Sequence, residues 1–145
     1  MKTWIKIVLG IVVIGIIAIF LIYKFVYNKE HPDYENIEAS ISLTTTELYQ
    51  AFKSNKDDAS ARYNGQVIAL TGNLSKIEAV DSLVIAVFVF EQGIFGDEGI
   101  RCTMLQKFND VAGKLQPDGE VKVKGYCAGY NDTDVILEKC SIINQ

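Results

Sequence analysis

The stretch from Ile7 to Tyr23, IVLGIVVIGIIAIFLIY, holds no charged residue and is bracketed by Lys6 and Lys24. As an α-helix it spans roughly 25 Å, and the flanking lysines can snorkel outward to match a hydrocarbon core of about 30 Å. Trp4 at one end and Tyr23, Phe25 and Tyr27 at the other stand where amphipathic rings settle at the two headgroup levels. Residues 1–27 are therefore expected to form an N-terminal transmembrane anchor. The rival is a cleaved leader, which needs a small-residue site behind the apolar run, where the sequence reads IYKFVYNKE. No cysteine stands just behind the run to accept a lipid. Lys2 and Lys6 ahead of it are balanced by Lys24 and Lys29 behind it, and the N-terminal amine tips the positive-inside rule. The short N-terminus is expected inside the cell and the C-terminal domain outside, on the far side of a bacterial cytoplasmic membrane.

Beyond the anchor, residues 30–145 carry 10 basic and 18 acidic side chains, a net charge of −8. A nucleic-acid backbone is held mainly by Lys and Arg, so this balance makes nucleic acid an unfavoured partner. It equally disfavours docking on anionic lipid.

Residues 28–42, NKEHPDYENIEASIS, are polar and follow neither a helical nor a strand period, which predicts a linker. His31, the only histidine, lies in it. Residues 43–145 form the expected globular domain, opening on two short helices. Thr44 and Glu47 match a capping box, Leu43 can staple onto Leu48, and Leu48 and Phe52 share a face. Asn55 caps the second helix, with Asp57 and Asp58 in its first turn and Asn64-Gly65 as its stop.

The period then changes. Residues 66–74, 83–90 and 99–105 are rich in β-branched and aromatic side chains and bounded by turn formers, which predicts three strands. Phe108, Val111 and Leu115 make the stripe of a short helix ending at Pro117-Asp118-Gly119. Residues 120–128 and 134–143 are two further strands joined by a tight loop. The expected fold is mainly β: a five-stranded OB-fold barrel with a helix between strands three and four.

The three cysteines, Cys102, Cys127 and Cys140, invite a redox or metal assignment. Pairing the last two strands places Cys127 opposite Leu137 and Cys140 opposite Lys124, too far apart along the strands to bond each other. A disulfide between Cys102 and Cys140 is geometrically allowed, because strands three and five are neighbours in such a barrel. The alternative is that all three are small buried apolar residues. With no C-x-x-C pair, a metal site is not expected. Asp132 and Asp134 have the one-residue spacing of a calcium loop but lack its further ligands.

The segments HPDYEN, TTTELYQAF, ARYNGQVIALTGNL, IFGDEGIRC and VKVKGYCAGYNDTDVILEKC together resemble the tRNA-anticodon-like family, small membrane-attached bacterial envelope proteins with an OB-fold. The resemblance runs from about His31 to Ile143 and implies the fold. It supplies no catalytic residues, and function follows from a site rather than a fold name. The resemblance implies attachment of many relatives through a lipidated cysteine, where this chain has its apolar helix.

The sequence shows no paired nucleophile and base, no phosphate loop and no cofactor motif. The expectation is a non-catalytic, membrane-anchored OB-fold module binding an envelope protein, peptide or glycan. Single-stranded nucleic acid is the alternative, with Phe88 and Phe90 as a thin stacking platform beside Arg101 and Thr103. Candidate ligand contacts are Ile94 and Phe95 in a Gly-rich loop over residues 91–99, Arg101, and Tyr130, Asn131 and Asp132 at the last hairpin tip. For Phe95 two outcomes stand open: contact with a ligand, or a ring folded back to plug the barrel end.

Overall fold

The computed structural model describes residues 2–27 and 33–143, so His31 and residues 28–32 of the expected linker lie outside the described residues. The chain divides into two compact units, Met1–Pro32 and Asp33–Gln145. In the first, helix α1 (Lys2–Ile22) runs into a π-helical turn (Tyr23–Tyr27). Its apolar stretch Lys2–Val26 is long and apolar enough to cross a membrane.

The second unit begins ahead of the expected boundary at residue 43. Asn36 and Ile37 donate their N–H groups to the Asp33 carbonyl, and the Tyr34 ring packs on Tyr126 with centroids 5.4 Å apart. Lys107 Nζ reaches both Glu35 carboxylate oxygens at 2.5 Å, and Lys124 Nζ donates to the Glu35 carbonyl at 2.6 Å. Strand β1 (Ile41–Thr44) then pairs in parallel with β2 (Val67–Asn73). Residues 33–42 are thus a docked strap, because backbone and aromatic partners on the sheet outweigh a polar composition.

Helices α2 (Thr45–Ser54) and α3 (Lys56–Tyr63) follow as local signals dictate. Glu47 N–H donates to Thr44 Oγ1 while Thr44 N–H donates to Glu47, completing the capping box. Thr45, Leu48, Tyr49 and Phe52 are the buried face of α2. Asn55 Oδ1 accepts from Asp58 N–H, and Gly65 exits with φ +80°.

Strands β3 (Lys76–Val80), β4 (Leu83–Gly93), β5 (Gly96–Met104), β6 (Glu120–Tyr130) and β7 (Asp134–Ile142) complete a seven-stranded sheet in the order β1-β2-β6-β7-β5-β4-β3. The sheet therefore contains β1 and β3 in addition to the five strands expected. Segment 76–80, outside the expected strands, is itself a strand, since Ile77 alternates onto the core and every residue pairs with β4. Hydrogen-bonded pairing does not close the sheet into a ring: β2 pairs with β6, β3 pairs with β4, and only Leu74 and Ser75 connect the two. The parallel β5–β7 pairing expected of neighbouring third and fifth strands is present.

The segment between β5 and β6 is shorter than its stripe suggests: a 3₁₀ turn (Gln106–Phe108) and α4 (Asn109–Ala112). Phe108 and Leu115 of the expected stripe pack on the core, but Val111 is half exposed and Ala112 is the buried residue in its place. The core joins Leu48, Tyr49 and Phe52 to Ile68, Leu70, Phe88, Ile100, Val123, Val135 and Leu137, all essentially solvent-free. Each such side chain contributes about 1.5–3 kcal/mol of burial. Gly99 is where β5 presses on β4: a Cβ there would sit 1.8 Å from the Phe88 carbonyl oxygen.

Candidate functional site

Alternation along Lys76-Ile77-Glu78 sends Ile77 inward and puts Lys76 and Glu78 together on the outer face. Register places Lys76 opposite Val87 and Val87 opposite Arg101, so the two cations share one cross-strand row. Arg101 on β5 donates Nη1–H to Glu78 Oε2 at 2.6 Å and Nε–H to Asp134 Oδ2 at 3.1 Å. Asp134, only 7% exposed, also accepts from Gly99 N–H at 3.0 Å. Lys76 Nζ lies 2.7 Å from Asp97 and 3.0 Å from Glu78. Five charged side chains thus alternate in sign, Asp97, Lys76, Glu78, Arg101 and Asp134.

A cleft of about 360 Å³ opens on this row, lined by Lys76, Phe95, Asp97, Arg101, Thr133 and Asp134 with Gly96. Lys76 and then Arg101 hold the Glu78 carboxyl below the ordinary glutamate value of 4.5, against the effect of burial. Lys76 and Gln92 hold Asp97 low. Burial opposes the charge on Arg101, but hydrogen bonds to Glu78 and Asp134 outweigh it and raise the guanidinium further. Glu78, Asp97 and Arg101 are thereby held in their charged forms near neutral pH.

The residues expected at the site are only partly brought together. Phe95 and Arg101 line this cleft, and Phe95 is 94% exposed and does not plug the barrel end. Ile94, 96% exposed, is the other half of the hairpin tip and is not part of that lining. Segment 91–99, expected as a loop, is instead the extended end of the β4–β5 hairpin, with Gly93 opposite Gly96. Tyr130 and Asn131 line a separate cleft of about 400 Å³ with Lys56, Ser60 and Asn64. The Tyr130 ring lies 5.6 Å from Phe52 and its hydroxyl donates to the Asp132 carbonyl. Asn131 Oδ1 accepts from the N–H groups of Thr133 and Asp134, which builds the turn. Asp132, in the left-handed region at φ 77°, pairs with Lys56, while Asp134 faces Arg101, so the two aspartates do not converge as calcium ligands. Phe88 is buried and Phe90 stacks on Tyr49 at 4.8 Å, which leaves neither as an open platform for bases.

All three cysteines are buried free thiols. Cys127 faces Leu137 as expected, but a bulge marked by Lys139 at φ 52° shifts the next register, so Ser141 rather than Cys140 faces Lys124. Cys140 and Cys102 lie side by side, unbonded; burial first, and then the contact with Cys102, raises the Cys140 thiol. Burial pushes Cys127 up to about 11.

The tRNA_anti-like family model matches residues 1–142. The chain belongs to the tRNA_anti-like family. Its folded unit is accordingly an OB-fold, tRNA-anticodon-binding-like domain. A lipoprotein from Klebsiella pneumoniae, whose own description as nucleic acid-binding is provisional, is similar to this tRNA_anti-like chain with a TM-score of 0.53 at 18% identity. That likeness covers 71% of this chain and 91% of that one, and at such identity it speaks for the fold alone. Asparaginyl-tRNA synthetase from Pyrococcus horikoshii gives a TM-score of 0.43 at 15% identity over 70% of this chain. Aspartyl tRNA synthetase from Entamoeba histolytica gives 0.44 at 9% over 80%. The tRNA_anti-like chain spans only 23% of either synthetase. Among curated proteins none matches.

Proposed function

We propose that the chain is a membrane-anchored, non-catalytic OB-fold binding module whose ligand is a protein, peptide or glycan of the bacterial cell envelope. In this reading α1 crosses the cytoplasmic membrane once and the folded unit lies outside the cytoplasm. Strands β2 and β3 count as two halves of one strand bent at Leu74 and Ser75, which with β4 to β7 makes the five strands of an OB barrel. The cleft around Arg101 receives the ligand.

One observation carries the choice of ligand. The charged row sets three carboxylates, Asp97, Glu78 and Asp134, against two cations, Lys76 and Arg101, and both cations are already paired. A phosphate would have to displace a carboxylate to reach either one, whereas binders of single strands offer open cations and stacked aromatics. Glu78 and Asp97 are shifted down and Arg101 up, away from the near-neutral values of acid–base catalysts, which supports a non-catalytic role.

Single-stranded nucleic acid is the second reading, favoured by the provisional description of the Klebsiella lipoprotein. The two are separated by fluorescence anisotropy of labelled single-stranded RNA and DNA titrated with the full chain in detergent. No affinity even at low salt is expected; an affinity that falls steeply as salt rises would replace our reading with the nucleic-acid one.

A further inference from the structure

The end of the β4–β5 hairpin is the most exposed apolar feature of the folded unit among the described residues. Ile94 and Phe95 are 96% and 94% exposed, whereas the next large apolar side chains there, Val80, Val111 and Leu83, are close to half exposed. The turn itself does not require them. Gly96 takes the left-handed conformation at φ +124°, so neither Ile94 nor Phe95 adopts a positive φ, and tight hairpin loops favour Asn, Asp and Gly over β-branched residues. Two large apolar groups with no role in the turn and none in the core are explained by a partner.

The arm is braced before any partner arrives. Lys53 of α2 bridges Glu91 and Glu98 on the two strands, at 3.2 and 2.8 Å. Lys76 of β3 holds Asp97, which also accepts from Gln92. Gly93 leaves room for the Glu98 carboxylate, which would meet a Cβ there at 2.1 Å. A tip held this way loses little conformational freedom on binding.

Charge narrows the partner. Glu91, Asp97 and Glu98 flank the tip against Lys53 and Lys76, and residues 30–145 carry a net charge of −8. A second copy would bring like charge against like, and an anionic leaflet would repel the arm. Buried aromatic and aliphatic anchors inside a charged rim are the usual energetic centre of a protein interface.

Resting on the binding-module reading above, we propose that Ile94 and Phe95 anchor a protein partner by entering an apolar pocket rimmed with Lys and Arg, the rim being drawn by the acidic excess of residues 30–145. The partner class is a polypeptide with basic residues flanking apolar ones.

The test is selection of a phage-displayed random peptide library on the full chain in phosphatidylcholine nanodiscs, repeated with the double variant Ile94→Ser, Phe95→Ser. Because both side chains stand in water, the variant should keep the wild-type Tm. Selected peptides are expected to place Lys or Arg beside aromatic or aliphatic residues, to bind the variant at least tenfold more weakly, and to weaken several-fold at high salt. Peptides that bind wild type and variant equally but lose affinity on Arg101→Met would overturn this inference and leave the binding-module reading standing. If no peptide is selected, the inference falls; if glycan ligands also fail to bind, the wider reading falls with it. A bimane label on Phe95→Cys, selective because the native thiols are buried, reports the other occupants. Blue-shifted emission without peptide, on adding phosphatidylglycerol or on raising protein concentration, would overturn the proposal in favour of lipid or a second copy.

Discussion

Arg101 lies between Glu78 and Asp134, and Lys76 between Glu78 and Asp97, so these residues spend their charge on one another. Partly exposed ion pairs add little stability individually, but they show in the pH dependence. Glu78 is held below its ordinary 4.5, and Asp97 below 3.8, so the unfolded chain binds these protons more readily than the folded one. The stabilisation is complete above those ordinary values and drains away as pH falls through the lower folded ones. In thermal melts from about pH 6 to about pH 3, the Tm gap between wild type and Glu78→Gln should therefore shrink. A gap that holds constant would mean that Glu78 acts by shape alone. Cys127 and Cys140 answer to burial in a similar way. With Cys127 at about 11, roughly a thousandth of it is thiolate at pH 8, so native protein should resist Ellman's reagent and react after denaturation. Rapid reaction of the native protein would mean that a thiol reaches solvent. Ile94 and Phe95 were legible in the sequence because glycines isolate them from any strand pattern. Lys76, Glu78 and Asp97 were missed, although the alternation Lys-Ile-Glu was there to be read; what fixes them are partners 21 and 23 residues away in the chain, which no local pattern records.

Helices α2 and α3 could be read residue by residue because caps are local: Thr44, Glu47 and Asn55 bond within three residues of themselves. Strand β1 could not, since its four residues become a strand only by lying against Ile68 to Thr71. The strap before it has the same origin, with its polar composition hiding partners supplied by β6 and the 3₁₀ turn. A double-mutant cycle on Tyr34→Ala and Tyr126→Ala should show a coupling of about 0.5–1.5 kcal/mol, the worth of an aromatic pair. Each single variant should lower Tm by several degrees. Strictly additive losses would mean that residues 33–42 do not dock and behave as the linker their composition suggests.

For the whole molecule, two sequence properties act on different units. The apolar run of α1 is long enough to cross a membrane, and the residues after it carry a large acidic excess. Uninterrupted hydropathy and net charge are sums over many residues, so both are legible without any structure. Orientation is not such a sum: it rests on Lys2 and Lys6 against Lys24 and Lys29, with the N-terminal amine left to decide. An epitope fused after Gln145 and exposed to protease, in intact cells whose outer barrier has been opened, reads the orientation directly. Our reading expects digestion from outside. The folded unit would then sit among envelope proteins and glycans, away from cellular RNA, and the adjacent thiols of Cys102 and Cys140 would face an oxidising compartment protected only by their burial. Protection until the membrane is lysed would put the unit in the cytoplasm. That outcome would return nucleic acid to contention despite the paired cations, and it would move the search for a basic polypeptide partner of the Ile94–Phe95 tip to the cytoplasmic side.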